Sequence, residues 1–153
     1  MVFETVLVAL ASSDLADDLT QQVIASVQSL QLEPDSKVVL THVVCVGEKD
    51  VDLEMDRPHS EPHVDGIRRV ERILATLQSQ FPCASEIEVV SGDPVEEIVR
   101  LAHIHRASLV VLGNRGLRGV NRILQGSVSS QVVSEAPCTV MVVKPHSLES
   151  IES

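Results

Sequence analysis

Aromatic side chains are nearly missing from this chain: its 153 residues include no Trp, no Tyr and only two Phe. Base stacking on single-stranded nucleic acid then has no platform to rest on. A net charge of −10 also opposes the phosphate neutralisation that supplies most nucleic-acid affinity. Nucleic acid is therefore not an expected partner. Cysteine is scarce as well. Cys45, Cys83 and Cys138 are far apart, make no Cys-x-x-Cys pair and leave an odd thiol, which fits a reducing compartment and buried, inert thiols. No apolar run approaches the about 18 residues of a membrane span, and no signal-like segment opens the chain. The expectation is a soluble, cytoplasmic protein with no membrane contact.

What the chain does have is aliphatic. Its 44% apolar content comes mostly from Val, Leu, Ile and Ala, the composition of a sheet covered by helices on both sides. The length suits one domain, expected over residues 1–146, with a polar tail at 147–153. Apolar runs with β-branched residues at Thr5–Leu10, Lys37–Val46, Glu86–Val90, Ser108–Leu112 and Pro137–Lys144 predict five strands. Helical spacing falls between them: Leu15, Leu19, Val23, Val27 and Leu30, with Asp14, Asp17 and Asp18 in the first turn, then Ile67, Val70, Ile73, Leu74 and Leu77. Gly92-Asp93-Pro94-Val95-Glu96 is a helix start, with Asp93 as N-cap, Pro94 at the first helical position and Glu96 where a capping box wants an acid. A fourth helix is expected from about Ser127 to Ser134. The acidic stretch from Gly47 to about His63 has no periodicity and reads as a surface loop. Alternating strands and helices predict an α/β fold, a three-layer sandwich with a five-stranded parallel, doubly wound sheet and helices on both faces.

One region runs against the acidic background. Between Ile98 and Ser134 there are five arginines and no Asp or Glu. Gly113-Asn114-Arg115-Gly116 lies at its centre, followed after nine residues by Gly126-Ser127. This run leaves the carboxyl end of the fourth predicted strand, where doubly wound sheets hold ligands. Backbone amides, a glycine that lets an anion approach closely, the Ser127 and Ser129 hydroxyls and a helix N-terminus at Gly126-Ser127 together suit a phosphate. A structural loop with a solvated basic face is the other reading, and Arg118 and Arg122 fit either. The pattern is not a P-loop, since no lysine lies between Lys49 and Lys144, and it is not GxGxxG.

The full spacing, G-x2-G-x9-G-S followed by Val128 and Ser129, resembles the nucleotide-binding signature of the universal stress protein (UspA-like) family. VLVAL, LTHVV, SGDPVEEIVRLA, SLVVLGNRG and APCTVMVVK extend that resemblance over nearly the whole chain. The resemblance implies the ATP-binding subclass and a role in stress adaptation. Gly113, Gly116, Gly126 and Ser127 would hold the phosphates and adjoining ribose. Asn114, Arg115, Leu117, Arg118 and Gly119 would fill the loop, and Val128 and Ser129 would continue the contact. Ala9 and Val43 match the adenine end, Val43 through its backbone. Magnesium could accompany ATP, although no paired carboxylate specifies it. The resemblance further implies a homodimer through the last strand, Thr139–Val143, whose apolar edge would otherwise invite aggregation. The protein partner is not specified.

There is one departure. An Asp near the nucleoside in ATP-binding members is matched here by Ala11, with Ser12, Ser13 and Asp14 just beyond it. No nucleophile–base–acid spacing is present, so efficient catalysis is not expected and no catalytic residue is assigned. His59/His63 and His103/His105 do not have metal-site spacing, and His42 reads as a core or site-edge residue. Two rival readings remain: a nucleotide-free dimeric interaction module of the same fold, and a slow ATPase.

Overall fold

The computed structural model describes residues 3–10, 18–44, 62–113 and 122–144, with backbone only for 18, 62–65 and 122–127. In chain order the elements are β1 (Thr5–Ala9), α1 (Asp18–Gln28), β2 (Lys37–Val44), α2 (Pro62–Gln78), β3 (Ala84–Ser91), α3 (Pro94–Ile104), β4 (Leu109–Gly113), α4 (Arg122–Glu135) and β5 (Thr139–Val143). The strands form one parallel sheet in the order β3-β2-β1-β4-β5.

That order follows from the handedness of the crossovers. Parallel neighbours joined by a helix are connected right-handedly, so β1-α1-β2-α2-β3 grows in one direction with its helices on one face. The chain then returns through α3 to β4 on the other side of β1, which puts α3 and α4 on the opposite face. Two apolar layers result. Val6, Val8, Val38, Leu40, Leu109 and Val111 pack with Val23, Ile24 and Val27 of α1 and Leu74 and Leu77 of α2. Leu7, Ala9, Val39, Val43, Val110 and Leu112 pack with Val95, Ile98, Leu101 and Ala102 of α3 and Val132 of α4. The central strands are buried on both sides, which is why they read as unbroken Val/Leu runs. Each buried Leu or Val side chain stabilises the fold by about 1.5–3 kcal/mol.

Local chemistry fixes the ends of α3. The Asp93 carboxylate accepts from the Glu96 amide at 3.0 Å, and Pro94 opens the helix, as the sequence predicts. Gly92 before it has φ +144, a conformation that disfavours any side chain. At the other end His105 is the C-cap and Arg106 sits in the left-handed region at φ 51. Arg106 N–H donates to the His103 carbonyl at 3.2 Å and Ala107 N–H to that of Ala102 at 2.9 Å. This is a Schellman closure with arginine where glycine is usual.

Several boundaries differ from expectation. α2 opens at Pro62, inside the stretch expected to be loop to about His63, with Pro62 at a first helical position that tolerates proline. β3 runs from Ala84 to Ser91 because it pairs with β2 along the full length of that strand, from Lys37↔Ala84 to Val44↔Ser91. α4 opens at Arg122, five residues before the predicted start. Cys83 and Cys138 are free and only partly buried, less than expected. Burial still pushes both thiols up, against a weaker backbone hydrogen bond at Cys83, which keeps them protonated and poorly reactive near neutrality. Residues 47–61 of the expected loop, the segment 11–17, Cys45 and the tail 147–153 lie outside the described residues.

Candidate functional site

The winding reverses between β1 and β4, and doubly wound sheets hold ligands beyond the carboxyl ends of the strands at such a point. Register places the candidate residues there. Ala9, the last residue of β1, is opposite Thr41 on β2 and Leu112 on β4. Side chains two apart on a strand share a face, so Ala9, Thr41, Val43 and Leu112 stand on the side covered by α3 and α4. Val128 of α4 packs against this same apolar cluster, and Ser129 beside it is buried. The fold therefore brings Ala9, Val43, Val128 and the carboxyl end of β4 together, although they are distant in sequence.

Gly113 closes β4 with its missing side chain on the other face. A Cβ there would lie 3.0 Å from Leu19 Cγ, 3.1 Å from its Cδ2 and 3.2 Å from Val23 Cγ2. The glycine lets α1 sit against the point where the glycine-rich run begins. Asn114, Arg115, Gly116, Leu117, Arg118 and Gly119 lie outside the described residues, as does Ala11.

The expectation that Gly126-Ser127 opens a helix is corrected. Both lie in the second turn of α4, past its first four residues, whose amides have no partner within the helix. Ile123, Leu124 and Gln125 form helix readily enough that the roughly 1 kcal/mol cost of one interior glycine does not stop propagation. The expected gathering of five arginines also divides. Arg100 belongs to α3, where it pairs with Glu97 at 2.6 Å, and Arg106 caps that helix ahead of β4. The five residues of β4 span about 16 Å, so Arg106 lies at the opposite end of that strand, and Arg100 is engaged with its own helix. Arg115, Arg118 and Arg122 are left near the run.

Two polar groups stand at this end: Thr41, which sequence reasoning missed, and His42, which it reads as a core or site-edge residue. Among the described residues, Thr41 Oγ1 is the buried side-chain oxygen without a hydrogen-bond partner. Leaving such a hydroxyl unpaired costs about 1–3 kcal/mol, and it sits beside Ala9. His42 faces the other side, with Nδ1 hydrogen-bonded to the Leu10 carbonyl. A carbonyl only accepts, so Nδ1 carries the proton. Burial holds this imidazole below its ordinary pKa, opposed by the weaker effect of the carbonyl bond. His42 is thus neutral near pH 7, with Nε2 as an acceptor. A threonine inside LTHVV is the only signal the sequence offers for Thr41, whereas His42 is buried and hydrogen-bonded in line with its reading as a core or site-edge residue.

Known proteins agree with this architecture. A universal stress protein from Synechocystis sp., Sll1388, is 29% identical over 157 residues, covering 94% of this chain and 99% of its own. The structure of the hypothetical protein MJ0577 matches at a TM-score of 0.73 and 19% identity, covering 94% and 96% of the two chains. A universal stress protein family member from Arabidopsis thaliana, solved with AMP bound, matches at a TM-score of 0.63 and 23% identity, covering 95% and 94%. Other similar family structures hold cAMP and dAMP. The model of the Universal stress protein family matches residues 3–144, and the chain belongs to that family.

Proposed function

We propose that this chain binds an adenine nucleotide, ATP in the first instance, and acts as a nucleotide-dependent regulatory protein in stress adaptation without efficient catalysis. One observation carries the reading: the glycine-rich run leaves β4 at the point where winding reverses, beside an apolar floor of Ala9, Val43, Leu112 and Val128. The residues present suit the ligand. The floor accepts a flat, apolar base, the orphaned Thr41 hydroxyl supplies a polar group beside it, and the Val43 backbone reads the base edge. The amides of Gly113, Asn114, Arg115 and Gly116, with Arg118 and Gly119, wrap the phosphates. Gly126, Ser127 and Ser129 approach them from α4. Because Gly126 lies in the second turn, nucleotide binding is expected to draw the first turn of α4 open and free its amides. Magnesium would enter with the triphosphate, held by phosphate oxygens. AMP in the plant relative and cAMP and dAMP in others support the adenine reading.

The proposal extends to a domain over 1–146 that works in the cytoplasm and dimerises through the edge strand Thr139–Val143. Among the described residues no helix is long and apolar enough to cross a membrane. Calorimetric titration with ATP, ADP and AMP, beside Gly126→Val, tests the core of the proposal. Val forms helix at least as well as Gly, so helix propensity does not disfavour the variant, and circular dichroism checks that it is folded. Wild type should give a saturable isotherm, and the variant should bind about tenfold or more weakly, an energy of about 1.4 kcal/mol. Absence of heat with all three nucleotides at millimolar concentration would leave the nucleotide-free interaction module standing instead.

A further inference from the structure

Away from the candidate nucleotide site, the edge strand β3 carries Glu86 and Glu88, two residues apart and therefore on one face. They register opposite Val39 and Thr41 of β2, and Val39 belongs to the apolar layer under α3 and α4. The carboxylates thus stand on the α3 side. His105, the C-cap of α3, closes the group. Its Nε2 is 2.7 Å from Glu88 Oε1, and its Nδ1 is 4.0 Å from Glu86 Oε2. One ligand atom from each of the three residues lies within 4.8 Å of the others. Lys37 Nζ meets the second oxygen of Glu86 at 3.0 Å, leaving Oε2 turned toward the imidazole.

We propose that Glu86, Glu88 and His105 bind one divalent transition-metal ion, with zinc the best match. The donor set is one imidazole nitrogen and two carboxylate oxygens. Zinc accepts that mixture readily, whereas magnesium and calcium prefer oxygen alone. The site is built rather than incidental. The imidazole is 9% exposed and already hydrogen-bonded to Glu88, on a backbone held by the Schellman closure that follows it. The carboxylates are 50% and 33% exposed, which leaves a route in and a fourth position for water. The negative end of the α3 dipole adds attraction for a cation.

Two ligand atoms on a tetrahedral zinc ion lie about 3.3 Å apart. The 2.7 Å contact must open slightly and Glu86 must swing inward, both within side-chain rotation. The ion takes the place of the Nε2–Glu88 hydrogen bond, with the ring N–H carried on Nδ1; because metal ligands must be deprotonated, binding weakens as pH falls. Spacing along the chain hid the group, because strand register and a helix cap join residues 17 apart.

Zinc titration of the metal-stripped full chain by calorimetry tests the site, with Glu86→Gln, Glu88→Gln, His105→Gln, Cys83→Ser and Cys138→Ser beside wild type. Wild type should bind one zinc ion per chain, while magnesium should give no heat. Each of the first three substitutions should weaken zinc about tenfold or more, since even outer-shell changes commonly cost that much. The two serine variants should bind as wild type, and zinc should shift the His105 ring resonances in NMR spectra. If His105→Gln does not fold, the two isosteric glutamine variants decide. Wild type failing to bind zinc at millimolar concentration, or zinc affinity unchanged in both glutamine variants, overturns the proposal. Nucleotide is absent throughout, so the outcome is independent of the candidate nucleotide site.

Discussion

Gly113→Ala separates two jobs that one glycine could do. The added Cβ would come within 3.0–3.2 Å of Leu19 and Val23, closer than ordinary van der Waals contact. Val23 is 1% exposed and has no room to retreat, while Leu19 is only partly buried and can yield by a few tenths of an ångström. Overpacking of this kind costs about 1–3 kcal/mol. The backbone of Gly113 is not in the left-handed region, so alanine also gains about 0.4–1 kcal/mol from the unfolded chain. The net expectation is a loss of about 1–2 kcal/mol. Urea denaturation should show a lower midpoint with an unchanged slope. In a Leu19→Ala background the same substitution should cost less, because the pair is in contact and its energies do not add. The side chain points to α1, so folded Gly113→Ala should keep its ATP affinity within about threefold, a difference under 1 kcal/mol. A variant as stable as wild type would refute the packing role. One of normal stability with lost nucleotide affinity would show that the glycine serves the ligand directly.

Other residues give sharper tests of single effects. His42 is held neutral by burial, so the unfolded chain, titrating near 6.5, binds its proton more readily. Its contribution to stability is complete above that value and fades as pH falls through the lowered folded pKa. His42→Asn should therefore flatten the dependence of the urea midpoint between pH 7.5 and 5, and an unchanged slope with pH contradicts the assignment. Arg106→Gly should stabilise by about 1 kcal/mol, a rise of about 2–4 °C in Tm; a fall would mean that the arginine side chain contributes more than its backbone costs. Ala11→Asp should tighten ATP binding severalfold, in line with about 1 kcal/mol for one hydrogen bond, as read by calorimetry; unchanged affinity would remove that carboxylate from the account.

Much of the fold is legible in the chain because its signals are local. Leu7 and Val110 sit in continuous Val/Leu runs because both faces of their strands are covered. Asp93-Pro94 starts a helix through groups three residues apart. Register is not local: nothing near Ala84 shows that the strand begins there, since the cause is its pairing with Lys37. The start of α4 differs from the sequence expectation because glycine followed by serine looks like a cap. The preceding Ile-Leu-Gln outweighs that signal in the chain without ligand. Arginines near one another in sequence likewise need not gather in the fold: Arg106 lies at the amino end of β4, away from the glycine-rich run that follows Gly113. Thr41 looked like any strand threonine, and only packing on both sides leaves its hydroxyl orphaned.

We propose that adenine nucleotide binds at the carboxyl ends of β1 and β4. Amide chemical shifts recorded during an ATP titration locate the ligand residue by residue. The prediction is saturable movement concentrated at Ala9, Val43, Gly113, Val128 and Ser129, with Leu32 and Phe81 still. Saturation with movement confined to residues away from that site, or no movement at millimolar ATP, would contradict it.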